Sequence, residues 1–207
     1  RERRDQVMET LASKCRSAGK SPLVIPEGGS NGRGALAFIQ AAKEASSQLS
    51  ESIDVTFVAV GSGGTLAGLA LGQGIGFIYG VAVCDDKAYF SARVQEIAAQ
   101  AHDLGAPSLP EQGIGWDVLE GYQGPAYGVA TPHIWETIRW VAENEGLLLD
   151  PVYTGKAMHA LISEVEAGRL EGNLLFWHTG GAFGLFGRGH EIMETREPHH
   201  RHLESSL

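Results

Sequence analysis

Apolar and polar positions along the chain switch between two periods. Residues 5–18 place apolar side chains at 7, 8, 11, 12 and 15, one face of a helix that Gly19 would end. Leu23–Ile25 is a short apolar run that predicts a buried strand. A glycine-rich loop over 26–34 follows it, then a helix over 35–48 with Leu36, Ile39, Ala42 and Lys43 on one side. The β-branched run 55–60 predicts a strand, Gly61 to Thr65 a second glycine loop, and 66–71 a helix. Residues 78–83 predict a third strand and 87–104 a helix, with Asp85 and Asp86 placed to favour its positive end. The Gly- and Pro-rich stretch 105–130 reads as a long loop crossing the sheet. Thr131 and Pro132 suit the N-cap and first position of a helix that runs to about Glu145, where Gly146 stops it. A helix over 157–167, a last strand over 174–177 and a loop at 178–181 complete the pattern. Strands alternating with helices predict an α/β fold: an open, mostly parallel sheet with helices on both faces, and ligands bound at the carboxyl ends of its strands. Residues 1–186 form this unit, and 187–207, polar and His-rich, predict a loose tail.

Composition narrows the function classes. The 207 residues are 43% hydrophobic and 20% charged, ordinary for a globular protein, with a net charge of −9. That charge disfavours nucleic-acid binding, because backbone phosphates would be repelled. Two cysteines in separate segments give no disulfide framework and suit a reducing, cytoplasmic compartment. No secretory leader or bilayer-length apolar run is visible, so no membrane partner is expected. Three histidines within 199–202 offer at most weak metal binding beside the plainer reading of a solvated tail, and no metal site is expected. The chain opens without Met and in an apparent mid-helix, which predicts a fragment or processed product.

Candidate chemistry concentrates at Gly61–Thr65. Glycines between a strand and a helix let a ligand approach the backbone, and the helix N-terminus favours an anion. Ser62 and Thr65 would add hydroxyl donors to a phosphate. The P-loop Lys is missing, and Leu66 stands where a dinucleotide fingerprint wants its third Gly. The acidic pair Asp85–Asp86 after the next strand keeps a nicotinamide reading open, as does a tight turn without any ligand.

Five motifs occur in order: Ile25-Pro-Glu-Gly-Gly-Ser-Asn31, Gly61-Ser-Gly-Gly-Thr-Leu-Ala-Gly68, Tyr127-Gly128, Leu149-Asp-Pro-Val-Tyr-Thr-Gly-Lys156 and His178-Thr-Gly-Gly181. Over residues 5–187 the chain resembles the C-terminal portion of the D-cysteine desulfhydrase and 1-aminocyclopropane-1-carboxylate deaminase family, pyridoxal 5'-phosphate enzymes with the tryptophan synthase β fold. The resemblance implies that Gly61, Ser62, Gly63, Gly64 and Thr65 hold the cofactor phosphate. It also implies that Thr154 faces the pyridine nitrogen, that Asn31 and Ser30 line the cleft, and that Thr179 lies near the ring. Tyr153 and Tyr127 match the family's catalytic tyrosines; a phenol can move a proton there if its neighbours lower its pKa from about 10. His178 is expected to be a packed residue rather than a base.

The family holds its cofactor as a Schiff base on a Lys in a Gly-Gly-Asn-Lys context. None of the five lysines here, Lys14, Lys20, Lys43, Lys87 and Lys156, has that context. The expectation is therefore an enzyme lacking its Lys segment and inactive as this chain alone. The implied activity is conversion of D-cysteine to pyruvate, sulphide and ammonia, in a homodimer. Deamination of 1-aminocyclopropane-1-carboxylate is the alternative, and a non-catalytic cofactor- or metabolite-binding remnant is another.

Overall fold

The computed structural model describes residues 2–194. Four parallel strands form one sheet in the order β3-β2-β1-β4, with β1 Val55–Val60, β2 Phe77–Ala82, β3 Trp116–Leu119 and β4 Leu174–Trp177. β1 pairs with β2 from Val55↔Phe77 to Val60↔Ala82, and with β4 from Val55↔Leu174 to Val58↔Trp177. Alternate residues leave opposite faces of the sheet. Val58, Val60, Ile78 and Ala82 enter one apolar cluster, while Phe57, Val81, Ala59 and Tyr79 enter another. Both faces are covered, as parallel sheets require.

The first face carries α2 Gly32–Gln48, α3 Gly64–Gly72 and α4 Lys87–His102. α3 (GTLAGLALG) is apolar all round and buried almost throughout, so it is a core helix rather than a surface one. Its glycines recur every fourth residue, Gly64 against Ser30 and Gly68 and Gly72 against α2. A Cβ on Gly68 would stand 2.5 Å from the Ala35 carbonyl oxygen, and one on Gly72 2.6 Å from Ala42 Cβ. The two helix backbones therefore pack directly on each other. α4 is capped by Asp86, whose Oδ1 accepts the Tyr89 amide at 2.7 Å. The second face carries α6 Thr154–Glu166, and α5 Pro132–Glu145 packs beside α6 around Ile134, Trp135, Ile138 and Leu149. Gly146 ends α5 in the left-handed conformation. α1 Glu2–Ser17 lies at the surface, with Ala12 buried.

The structure departs from the sequence pattern in four places. Leu23–Ile25 forms no strand, and Leu23 is 82% exposed. The sheet consists of β3, β2, β1 and β4, and this apolar run pairs with none of them. Conversely, the stretch 105–130 is not all loop. Its four residues Trp116–Leu119 become β3 because they pair with β2, and Trp116 is fully buried with its indole N–H donating to the Pro110 carbonyl. α6 starts at Thr154 rather than 157 because Asp150 caps it. The tail predicted from 187 also begins later. α7 Ala182–Phe186 and α8 Gly189–Glu194 are helical, with Ile192 packed on the α5–α6 cluster and its carbonyl accepting from Arg139. The histidines of 199–202 lie outside the described residues.

Candidate functional site

The sheet order contains a reversal. From β1 the chain builds outward through β2 and β3, then returns to place β4 on the other flank of β1. Loops leaving the carboxyl ends of β1 and β4 therefore diverge, and such a divergence is where parallel sheets open a crevice. A cleft of about 390 Å³ lies there. Gly61, Ser62 and Thr65 line it from the β1 side, Thr179, Gly180 and Gly181 from the β4 side, and Tyr127 and Tyr153 close it. A depression of about 700 Å³ also runs along α1, but it is bounded by polar side chains of that one helix, from Gln6 to Ser17, and has no second wall.

The β1 loop is shaped by close approach. Gly61 touches the Tyr153 ring: a Cβ there would lie 2.9 Å from Cε1. Gly63 adopts φ +93°, turning the chain into α3. The first turn of α3 has no acidic side chain, and its leading amides lack intrahelical partners. Gly63 and Gly64 make the turn rather than line the cleft. The Gly64 N–H is taken by Ser30 Oγ at 3.2 Å, and Ser30 Oγ lies 2.7 Å from Ser62 Oγ. Ser30 thus braces the loop from beneath. Asn31 serves its own helix: its Oδ1 accepts the Gly34 amide at 2.9 Å, the N-cap of α2. Glu27 and Gly28, in the turn before Ser30, also reach the cleft, and Glu27 is paired with Arg4 at 2.9 Å.

The opposite wall is organised by Asp150. This carboxylate is buried at 1% exposure and accepts the amides of Val152, Tyr153 and Thr154 at 2.8–2.9 Å, and the Thr154 hydroxyl at 2.7 Å. Three amide dipoles and the α6 N-terminus compensate its charge. Asp150 also fills the space beside Gly181, where a Cβ would stand 2.6 Å from its Oδ1. One carboxylate therefore sets both the Tyr153 turn and the loop after β4. Thr154, predicted to face a pyridine nitrogen, is instead buried at 1% exposure. Its hydroxyl also accepts the Asp150 amide at 2.8 Å, so it braces this turn from outside the cleft. His178 is held as expected of a packed residue, with Nε2 3.0 Å from the Leu148 carbonyl oxygen and Nδ1 accepting the Gly180 amide.

Tyr127 and Tyr153, 26 positions apart, meet hydroxyl to hydroxyl. Burial raises the Tyr153 pKa, and the hydrogen bond with Tyr127 and the nearby Asp150 and Cys84 raise it further. The direction is opposite to the one a proton-abstracting phenol needs. Tyr153 keeps its proton at neutral pH and acts as a hydrogen-bond donor. A thiolate, whose conjugate thiol has a pKa near 8.5, would take a hydrogen bond from it but not the proton.

Sequence reasoning singled out Gly61, Ser62, Thr65, Thr179, Tyr127 and Tyr153, and these meet in one cleft. It missed Glu27, Gly28, Gly180 and Gly181 as lining residues and Asp150 as organiser. All five lay within the quoted motifs, so motif extent was the available signal.

A family model described as pyridoxal-phosphate dependent enzyme matches residues 1–180. The chain is 39% identical over 194 residues to a D-cysteine desulfhydrase of Salmonella schwarzengrund, covering 88% of this chain and 57% of that protein. It is 37% identical over 194 residues to a mitochondrial bifunctional D-cysteine desulfhydrase/1-aminocyclopropane-1-carboxylate deaminase of Arabidopsis thaliana, covering 88% of this chain and 47% of that protein. Among solved structures, an ACC deaminase homologue superposes with a TM-score of 0.82 at 34% identity, over 90% of this chain and 57% of that one. The chain spans about half to three fifths of the length of these relatives.

Proposed function

Because the chain belongs to the pyridoxal-phosphate dependent enzyme family, we propose that its cleft is the cofactor site of a lyase-deaminase acting on a small D-amino acid with a β leaving group, D-cysteine first. The observation that carries this reading is the cleft itself: a helix terminus free of acidic side chains and a hydrogen-bonded pair of tyrosines line it at the switch point of the sheet. Bound pyridoxal phosphate would supply an electron sink for loss of the substrate's α-proton and β-substituent.

The chain's own residues then divide the remaining work. Ser62, Thr65 and the amides of the first turn of α3 after Gly64, whose N–H is taken by Ser30, would hold the phosphate, with Gly61, Gly63 and Gly64 giving the backbone its approach. Thr179, which lines the cleft, would take the pyridine-facing role that the resemblance gave to Thr154, because Thr154 is committed to Asp150. Of the paired phenols Tyr153 and Tyr127, one donates to the other and the remaining O–H would donate to the substrate carboxylate or to the departing thiolate. None of the five lysines lines the cleft, so the residues of this chain would hold the cofactor without a covalent bond.

The test is an assay of the native gene product with D-cysteine and with 1-aminocyclopropane-1-carboxylate. Sulphide and pyruvate from the first support the reading. Release of 2-oxobutanoate from the second alone would move the substrate to the alternative. Saturable cofactor binding with neither product would favour the binding remnant. The free cysteines Cys15 and Cys84 fit a reducing compartment, and we extend the reading to a cytoplasmic homodimer, which sedimentation would check.

A further inference from the structure

Lys156 is fully buried, and its ammonium is met by carbonyl oxygens rather than by a carboxylate. It donates to the Val83 carbonyl at 3.1 Å, to that of Gln123, and to that of Ala126 at 3.4 Å. Three N–H donors thus face three acceptors. A neutral amine would turn a lone pair towards one of those carbonyls, so the arrangement selects the charged form. Burial pushes the Lys156 pKa down, while Cys84 and Asp150 oppose the fall and Arg188 adds to it.

The three carbonyls belong to two pieces of chain. Val83 directly follows β2. Gln123 and Ala126 lie in the segment between β3 and α5, and Ala126 immediately precedes Tyr127. Tyr127 has little packing to place it, being 59% exposed, and Gly128 after it adopts φ +75°. Yet its hydroxyl meets that of Tyr153. Upstream, the segment has other ties: the Gln123 side chain accepts the Gly121 amide and donates to the Asp85 carbonyl at 3.2 Å. At the Ala126 end, an internal turn from Val129 N–H accompanies the Lys156 bond.

We infer that Lys156 is a positioning residue for Tyr127: it ties the segment carrying that tyrosine to the end of β2 and the first turn of α6, and so holds the two phenols together. Tyr153 and Lys156 lie three residues apart on that turn, so one element presents a tyrosine to the cleft and anchors its partner from behind. The consequence for catalysis rests on the reading of the cleft given above, but the positioning itself requires no cofactor.

The experiment uses this chain without cofactor, with isotope-labelled Phe and Tyr, and reads ring-to-ring NMR cross-peaks. Tyr127 and Tyr153 have ring centroids 6.0 Å apart, and Phe57 and Tyr79 in the core, 5.5 Å apart, serve as the internal control. Lys156→Met should lose the Tyr127–Tyr153 cross-peaks and keep those of Phe57–Tyr79. Survival of the Tyr127–Tyr153 cross-peaks alongside a lower melting temperature would reduce Lys156 to a structural residue and overturn the inference. Should the Met variant fail to fold, amide exchange of the unsubstituted chain decides. Segment 121–129 should be as protected as the first turn of α6, and independent, faster exchange would overturn it. A failure of pyridoxal phosphate to bind would sink the proposed function and leave this result untouched.

Discussion

The two walls of the cleft are built on different physics. The β1 wall stands on apolar contact: α3 is buried, and its glycines let α2 lie against it backbone to backbone. The β4 wall stands on buried polar groups, with Asp150 collecting three amides and a hydroxyl and Lys156 collecting three carbonyls. Apolar packing is non-directional and fixes a helix as a body. Charged hydrogen bonds are directional and fix individual atoms. The β1 wall is thus a rigid helix terminus, and the opposite wall has its side chains set one by one.

Breaking the polar wall should cost most. Asp150→Ala leaves several buried donors without an acceptor, and we expect a loss of about 3 kcal/mol in stability, read by urea denaturation. Its Tyr153 environment should change as well, visible in near-ultraviolet circular dichroism. Breaking the apolar wall comes next. Gly68→Val drives α2 and α3 apart, with an expected cost of about 2 kcal/mol. Equal stability of this variant and the parent would mean that the helices can separate freely. A smaller effect is confined to the ligand: Thr65→Val should weaken pyridoxal phosphate binding by about 1 kcal/mol, close to fivefold by equilibrium dialysis, without changing the melting temperature.

The smallest effect lies behind the polar wall and depends on pH. His159 on α6 stacks on His133, and its hydroxyl partner Thr137 lies 3.1 Å away. Burial lowers its pKa, and His133 lowers it further, while Glu166 and Glu136 oppose the fall. The unfolded chain then binds this proton more readily than the folded one. Stability is full above the ordinary histidine pKa of about 6.5 and falls as the pH drops through and below it. His159→Gln should flatten that decline in a series of thermal melts, and an unchanged slope would place the titrating group elsewhere.

Much of this architecture was legible in local pattern. β1 and its glycine loop, β2, α4 with its Asp86 cap, α5 with Gly146, and β4 all follow from period, capping residues and glycine stops, because those signals act within a few residues. The failures share a cause. Leu23–Ile25 had the composition of a strand and β3 did not, yet β3 pairs with β2 while Leu23–Ile25 pairs with no strand, and pairing is decided by the chain's path. Asn31 and Thr154 carried the right chemistry for ligands, but their hydroxyl and amide groups were claimed by neighbouring backbone and by Asp150.

By itself, the sequence determined the alternation of strand and helix, the α/β class, and the glycine turn from β1 into α3 at Gly61–Thr65, since each depends on spacing along the chain. Only the tertiary structure decided that β4 returns beside β1, so that Thr179 faces Ser62 across one cleft, and that Tyr127 meets Tyr153. It also raised the pKa of Tyr153. A phenol's pKa depends on burial and on the charges brought beside it, and neither is a property of its neighbours in sequence.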